Sequence, residues 1–177
     1  MITPWEKREK TYERLISLTV ILESIIIGDL MAGAIFGVAI TTIVFVISTV
    51  LLHLPLANVG LLAFSFVLGS ITFATLGTLL ASPTTDNPSN IMMLSSLVRL
   101  PLIFVSGIFI PLNQLSGWEW ILTSLSPLTY LVDLFHPSLN GDAVYSPWLD
   151  VLVLVVVILV FIWCAKVIQK RNLVKGI

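Results

Sequence analysis

Residues 30–52 read LMAGAIFGVAITTIVFVISTVLL, an apolar stretch without one charged side chain. Three further stretches, 59–81, 91–112 and 149–167, are almost free of charge as well. The hydrocarbon core of a bilayer is about 30 Å thick and requires about 20 apolar residues in a helix that rises about 1.5 Å per residue. The sequence therefore predicts an all-α polytopic membrane protein with four transmembrane helices over these ranges.

Composition limits the range of functions. Of the 177 residues, 57% are hydrophobic and 11% are charged, so we expect one membrane domain, 1–177, without a soluble catalytic domain. The chain contains neither a phosphate-binding loop ending in Gly-Lys-Ser/Thr nor the HExxH pattern of zinc proteases. Its two histidines, His53 and His136, have no metal-binding partner at ligand spacing. We therefore expect no catalytic residue, no metal site and no nucleic-acid partner.

The basic residues lie almost entirely near the two ends of the chain. The connections 53–58, 82–90 and 113–148 contain neither lysine nor arginine. Because lysine and arginine accumulate on the cytoplasmic side of a membrane, this distribution predicts a multi-pass protein of the cell membrane with both termini cytoplasmic. The segment 113–148 would then be external and the tail 168–177 cytoplasmic.

The first 28 residues differ in composition from the apolar stretch that follows them. Thr3, Pro4 and Glu6 match a capping box with proline at the first helical position, which predicts an amphipathic cytoplasmic helix within 1–28. Two interpretations stay open for this helix: a docking site for a partner protein, or a membrane anchor without one. Asp29 is expected to cap the first transmembrane helix.

Small and hydroxylated residues mark the first two predicted spans. Gly33 and Gly37 form a small-xxx-small pair, the spacing that lets two helices approach closely. The second span carries glycine, serine and threonine residues between Gly69 and Thr78. Both patterns predict helix–helix packing.

The segment 113–148 is half apolar although it is not predicted to be a span. Pro127 and Asp133 interrupt its apolar pieces, so that neither piece is long enough to cross the bilayer. Short apolar helices that enter a bilayer must be covered by protein. The composition therefore predicts a re-entrant helical segment on the external side.

Arg99 is the strongest candidate for a functional side chain. It lies about 12 Å from the cytoplasmic end of a helix that starts near residue 91, a depth at which a charge is costly unless it faces protein or water. Two interpretations stay open: the side chain lines a polar cavity and binds an anionic group, or its long stem extends to the inner interface. Pro101 is expected to bend the same helix, and Ser106-Gly107 to add flexibility or close packing.

Three stretches resemble the type-2 ABC exporter permeases. Residues 104–112 read FVSGIFIPL and residues 126–133 read SPLTYLVD, which are similar to the end of the family's fifth span and to the re-entrant segment before its sixth. Residues 10–17 read KTYERLIS, which is similar to the family's cytoplasmic helix before the third span. The resemblance covers nearly the whole chain in the order of the family's last four spans, so the chain resembles an apparently truncated permease.

The resemblance implies a membrane-spanning permease subunit of an ATP-driven ABC exporter. Its expected partners are a separate ABC ATPase subunit that binds ATP–Mg, a second permease copy and the lipid bilayer, with no cofactor in this chain itself. The alternative is a non-transporting membrane scaffold or a degenerate remnant of a permease.

The resemblance also implies three groups of site residues. The substrate pathway would contain Arg99, Pro101, Ser106 and Gly107. Coupling to the ATPase would involve Thr11, Glu13 and Arg14. The outer gate would contain Pro111, Pro127, Tyr130 and Asp133.

Overall fold

The computed structural model describes residues 22–53, 56–82, 88–106, 117, 123–139 and 143–174. Within these ranges the regular structure is helical. In chain order the helices are α1 (Leu22–Leu52), α2 (Val59–Ala81), α3 (Pro88–Val105), α4 (Pro127–Phe135), a 3₁₀ turn (His136–Leu139) and α5 (Pro147–Val174). The predicted all-α architecture is therefore confirmed.

Three of these helices are long and apolar enough to cross a membrane: Ile26–Leu52, Val59–Ala81 and Pro147–Lys170. A fourth apolar helix, Ser89–Val105, is shorter. It corresponds to the predicted span 91–112, of which residues 107–112 lie outside the described part of the chain. The protein is thus a polytopic membrane protein with three to four membrane-length helices.

The start of α1 differs from the prediction. The helix begins at Leu22 and continues without a break to Leu52, so the proposed helix cap at Asp29 is wrong. The reason is that the apolar residues before Gly28 continue the helical hydrophobic pattern, and neither Gly28 nor Asp29 interrupts it. Of the predicted cytoplasmic helix within 1–28, only residues 22–28 are described, and they belong to α1.

Helices α1 and α2 pack closely through the small residues that the sequence marks. A Cβ atom added to Gly33 would lie 3.1 Å from the Ala74 Cβ, and one added to Gly37 would lie 3.0 Å from the Ser70 Cβ. The residue numbers of the two pairs run in opposite directions, so the helices are antiparallel. This confirms the prediction that the glycine pair serves close helix packing.

The hydroxylated face of α2 is buried, and its hydroxyl groups are satisfied within the helix. Ser65 donates to the Leu61 carbonyl at 2.9 Å and Thr72 to the Leu68 carbonyl at 2.8 Å. Back-bonding of this kind satisfies the hydroxyl without a partner on another helix. The polar residues of α2 therefore allow it to sit at the centre of the bundle, where half of its membrane-length segment is buried.

Helix α4 is too short to cross a bilayer and packs against the longer helices. Its nine residues extend about 13 Å. Leu131 and Leu134 form a buried cluster with Leu68 of α2 and Leu154 of α5. A Cβ atom added to Gly69 would come within 2.8 Å of the Leu131 side chain. The absence of a side chain at Gly69 therefore allows α4 to pack against α2. The described part of 113–148 thus contains the predicted short helix, covered by protein.

Two sets of hydrogen bonds define the opposite ends of the bundle. At one end the Ser138 carbonyl accepts from the backbone amides of Ala57 and Asn58, at 3.0 and 3.4 Å. At the other end the Gln169 side-chain amide donates to the Ser82 hydroxyl at 3.3 Å. The 3₁₀ turn after α4 and the C-terminal part of α5 therefore lie at opposite ends of α2.

Candidate functional site

A cleft with a volume of about 450 Å³ lies among α1, α2, α3 and α4. Small residues of α1 and α2 line its middle, where Gly37 approaches Ser70. Two charged residues line it as well, Asp29 from α1 and Arg99 from α3. Opposite charges thus share one cleft of the helical bundle.

The cleft has a polar end and an aromatic end. The pairs Gly33–Ala74 and Gly37–Ser70 set the antiparallel register, which places Asp29 at the level of Thr78, near the end of α2 that leads to α3. At the other end the lining includes Phe66 and, from α4, Leu131 and Phe135. The Phe66 and Phe135 rings are in contact, with centroids 5.5 Å apart.

Arg99 lies about 16 Å along α3 from Pro88. Its side chain is exposed at the surface of this chain and lines the cleft. Within the described part of the chain, no acidic side chain forms an ion pair with it. The guanidinium therefore brings a positive charge to the cleft that no described acidic side chain neutralises through an ion pair.

The other predicted pathway residues are placed differently. Pro101 lies inside α3, is exposed and is not part of the cleft lining. Ser106 is buried at the end of α3, where its hydroxyl donates to the Ile103 carbonyl at 2.7 Å. Gly107 lies outside the described residues. The structure thus brings Arg99, and neither Pro101 nor Ser106, into the cleft.

Three of the four predicted gate residues belong to α4. Pro127 is its first residue, a position that suits proline because the missing amide would have no helical partner. The buried Asp133 carboxylate accepts the backbone amides of Val144 and Tyr145 at 2.8 and 2.7 Å. This carboxylate therefore ties α4 to the segment before α5. Pro111 lies outside the described residues.

Tyr130 ties α4 to the segment that precedes it. Its hydroxyl donates to the Ser124 carbonyl at 2.7 Å, and its ring packs against Tyr145 with centroids 5.6 Å apart. Burial raises the pKa of Tyr130, and the charges of Tyr145 and Asp150 raise it further. The hydroxyl thus keeps its proton as a hydrogen-bond donor at neutral pH.

Sequence reasoning missed Asp150, which lies in the first turn of α5. The residue is fully buried, and neither carboxylate oxygen has a hydrogen-bond partner in the described part of the chain. Asp133 is near enough to interact with it electrostatically. Its acidic side chain at the edge of an apolar stretch is visible in the sequence, but that position is equally typical of a solvated residue at a helix start.

Two further predictions concern metals and ATPase coupling. No group of three or more histidine, cysteine or acidic residues that could hold a metal ion occurs in the described ranges. Thr11, Glu13 and Arg14, the predicted coupling residues, lie outside those ranges.

Comparison with known proteins connects this helical bundle to a family. Nodulation protein J of Rhizobium meliloti (strain 1021) is 25% identical over 145 residues, which cover 77% of this chain and 52% of that protein. The chain thus spans about half the length of this curated relative. No solved structure matches. The family profile described as ABC-2 type transporter matches residues 1–139, more than half of the chain, and the chain therefore belongs to the ABC-2 type transporter family.

Proposed function

We propose that this protein is a membrane-spanning permease subunit of an ATP-driven exporter, in which the cleft forms part of the substrate pathway. The observation that carries the proposal is the position of Arg99 in a cleft among α1, α2, α3 and α4, where no acidic side chain of the described residues forms an ion pair with it. A charge within a membrane helix is usually retained for a substrate or ion pathway. Membership of the ABC-2 type transporter family supports a transport role for the same helices.

Helix α3 has a position at which it would bend and so change the shape of the pathway. Pro101 lacks the amide hydrogen that would bond to the Leu97 carbonyl, which leaves a weak point two residues after Arg99. A bend at this point would carry the guanidinium toward or away from the cleft. The two ties of α4, through Tyr130 and Asp133, would hold the opposite end of the pathway in place as a gate.

Energy would come from a separate ABC ATPase subunit that binds ATP–Mg, so that this chain performs no catalytic step itself. Thr11, Glu13 and Arg14 are the residues we propose for contact with that subunit, on the resemblance of 10–17 to the family's cytoplasmic helix. A second permease copy would complete the pathway. We place the subunit in the cell membrane, with both termini on the cytoplasmic side, on the distribution of basic residues.

The alternative function is that of a non-transporting membrane scaffold or a degenerate remnant of a permease. These candidates differ in one measurable property, because only a permease subunit would change the ATP hydrolysis of an associated ATPase.

The deciding experiment purifies the tagged full chain from membranes of its native host, with chemical cross-linking and a mild detergent. We expect an ABC ATPase with intact phosphate-binding motifs in the complex, with a rate of ATP hydrolysis that depends on the presence of this chain. Recovery of the chain without such an ATPase, or an ATPase rate that is the same with and without it, would contradict the permease function and favour the scaffold.

A further inference from the structure

We infer that the cleft takes an anionic amphiphile, whose phosphate or carboxylate binds Arg99 and whose hydrocarbon chain lies against Phe66 and Phe135. The inference rests on the proposed function, because it names the substrate class of the same cleft. The inference is carried by the juxtaposition, in one cavity, of the cationic Arg99 side chain, small residues and an apolar end.

The charge of Arg99 defines the head group. An arginine in a membrane-embedded helix is stable when an opposite charge or water meets it, and no acidic side chain of the described chain forms an ion pair with it. The planar guanidinium presents paired donors that match the oxygen atoms of a phosphate or a carboxylate. An uncharged ligand, or an apolar helix in the same place, would leave this charge without a counterion.

The other end of the cleft defines the tail. Phe66, Leu131 and Phe135 present apolar surface there, and burying a hydrocarbon chain against such surface is favourable. The volume of about 450 Å³ falls within the range of about 300–1,000 Å³ that is typical of small-molecule sites. A ligand that satisfies both ends must be amphipathic.

The position of Asp29 determines where the head group comes to rest. Asp29 lies near the end of the cleft that leads to the α2–α3 connection, at the level of Thr78. Its carboxylate would repel an anionic group placed beside it. Arg99 lies about 16 Å along α3, farther from that end, so the two charges together favour one position of the head group, on Arg99.

The first test measures binding to the purified full chain by native mass spectrometry in a neutral sugar-based detergent. Dioleoyl phosphatidic acid is titrated against dioleoylglycerol, which has the same chains and no phosphate. We expect about tenfold tighter binding of the phosphatidic acid, the effect of one charge-assisted interaction. Arg99→Gln should reduce this preference to about one, Arg99→Lys should keep part of it, and inorganic phosphate should not compete.

Two matched controls separate binding in the cleft from general effects of a lost positive charge or an enlarged side chain. Lys170 is an exposed basic residue of α5 outside the cleft lining, so Lys170→Gln removes one positive charge without touching the site. Gly77 lines the cleft and Gly28 does not, and a Cβ atom added at either glycine meets nothing within 4 Å. Gly77→Val should therefore weaken phosphatidic acid binding by placing methyl groups in the cleft, whereas Gly28→Val should leave it unchanged.

Equal affinity for the two lipids, or an unchanged preference in Arg99→Gln, would overturn the inference. Equal effects of Gly77→Val and Gly28→Val would also overturn it, because the ligand would then lie outside the cleft. The proposed function fails in a different measurement, the recovery and rate of the ATPase. Phosphatidic acid binding that depends on Arg99, in a chain that recruits no ATPase, would uphold the binding site and refute the permease.

Discussion

Arg99 is the single residue on which the proposed transport function depends most directly. If it acts in the pathway, Arg99→Ala in the reconstituted complex should reduce transport about tenfold or more, whereas Arg99→Lys should retain part of it because the positive charge stays in the cleft. Vesicle uptake of a labelled substrate, normalised to the amount of complex, measures both variants. If the Arg99 side chain instead extends to the membrane–water interface, lysine would serve equally well there, and both substitutions should reduce transport only slightly. Transport at the parent level in Arg99→Ala would leave only that interpretation.

A second prediction concerns Asp133 and Asp150, which are both fully buried. Among the described residues, only the Asp133 carboxylate has hydrogen-bond partners. Asp133→Asn should lower the free energy of unfolding by roughly 1.5–3 kcal/mol, since each backbone amide donates to a different carboxylate oxygen and asparagine replaces one of these acceptors with an NH2 donor. Asp150→Asn should not lower it, because the Asp150 carboxylate accepts no hydrogen bond in the described chain. Thermal unfolding followed by tryptophan fluorescence in detergent compares the two. Equal losses of stability would show that Asp150 has a partner that the described residues do not supply.

The close contact of α1 and α2 is tested at the scale of the element. Gly37→Val would place atoms within 3.0 Å of the Ser70 Cβ and Oγ, so the two helices must move apart. Overpacking of this kind lowers the free energy of unfolding by about 1–3 kcal/mol. We therefore expect a lower thermal midpoint in the same fluorescence assay. Gly28→Val on the same helix meets nothing within 4 Å and serves as the control. A midpoint that falls as much for the control would indicate an effect of helix propensity alone.

A further prediction concerns the segment before α1. It is based on the sequence alone, because the residues of this segment lie outside the described ranges. Reversing the charges with Glu13→Arg and Arg14→Glu should reduce co-purification of the ATPase several-fold, because a docking surface of the wrong sign repels its partner. Insertion into the membrane, measured as the amount of chain in washed membranes, should stay the same. Undiminished co-purification in both variants would argue against docking at this segment.

At the scale of the whole molecule, the prediction concerns which end of the bundle faces the cytoplasm. The Ser138 and Gln169 hydrogen bonds place the 3₁₀ turn and the end of α5 at opposite ends of α2. In a Cys164→Ser background, single cysteines in 138–146 should react with an impermeant maleimide from outside, and cysteines in 5–12 and 168–175 should react only after permeabilisation. Labelling of 5–12 in intact cells would invert the topology that the basic residues predict.

Features that depend on consecutive residues could be predicted from the amino-acid sequence. Whether a helix can cross a bilayer follows from the summed hydropathy of about 20 neighbours, and the Gly33–Gly37 pair needs only the helical period to predict a packing face. Helix α1 ends at Leu52, and helix α2 runs from Val59 to Ala81. The predicted cap at Asp29 was wrong because Asp29, a residue typical of helix caps, lies inside the continuous helix Leu22–Leu52.

Contacts between side chains that are distant in sequence depend on how the helices pack, and the sequence did not predict them. Asp29 and Arg99 are far apart in sequence and share a cleft because α1, α2 and α3 pack with a particular register and rotation about their axes. The same holds for Asp150, which is fully buried in the first turn of α5 and near enough to Asp133 of α4 to interact with it electrostatically. Helices that are apolar on every side have no periodic pattern to show which face is turned inward. The bundle fixes that rotation through contacts such as Gly37 with Ser70 and Gly69 with Leu131.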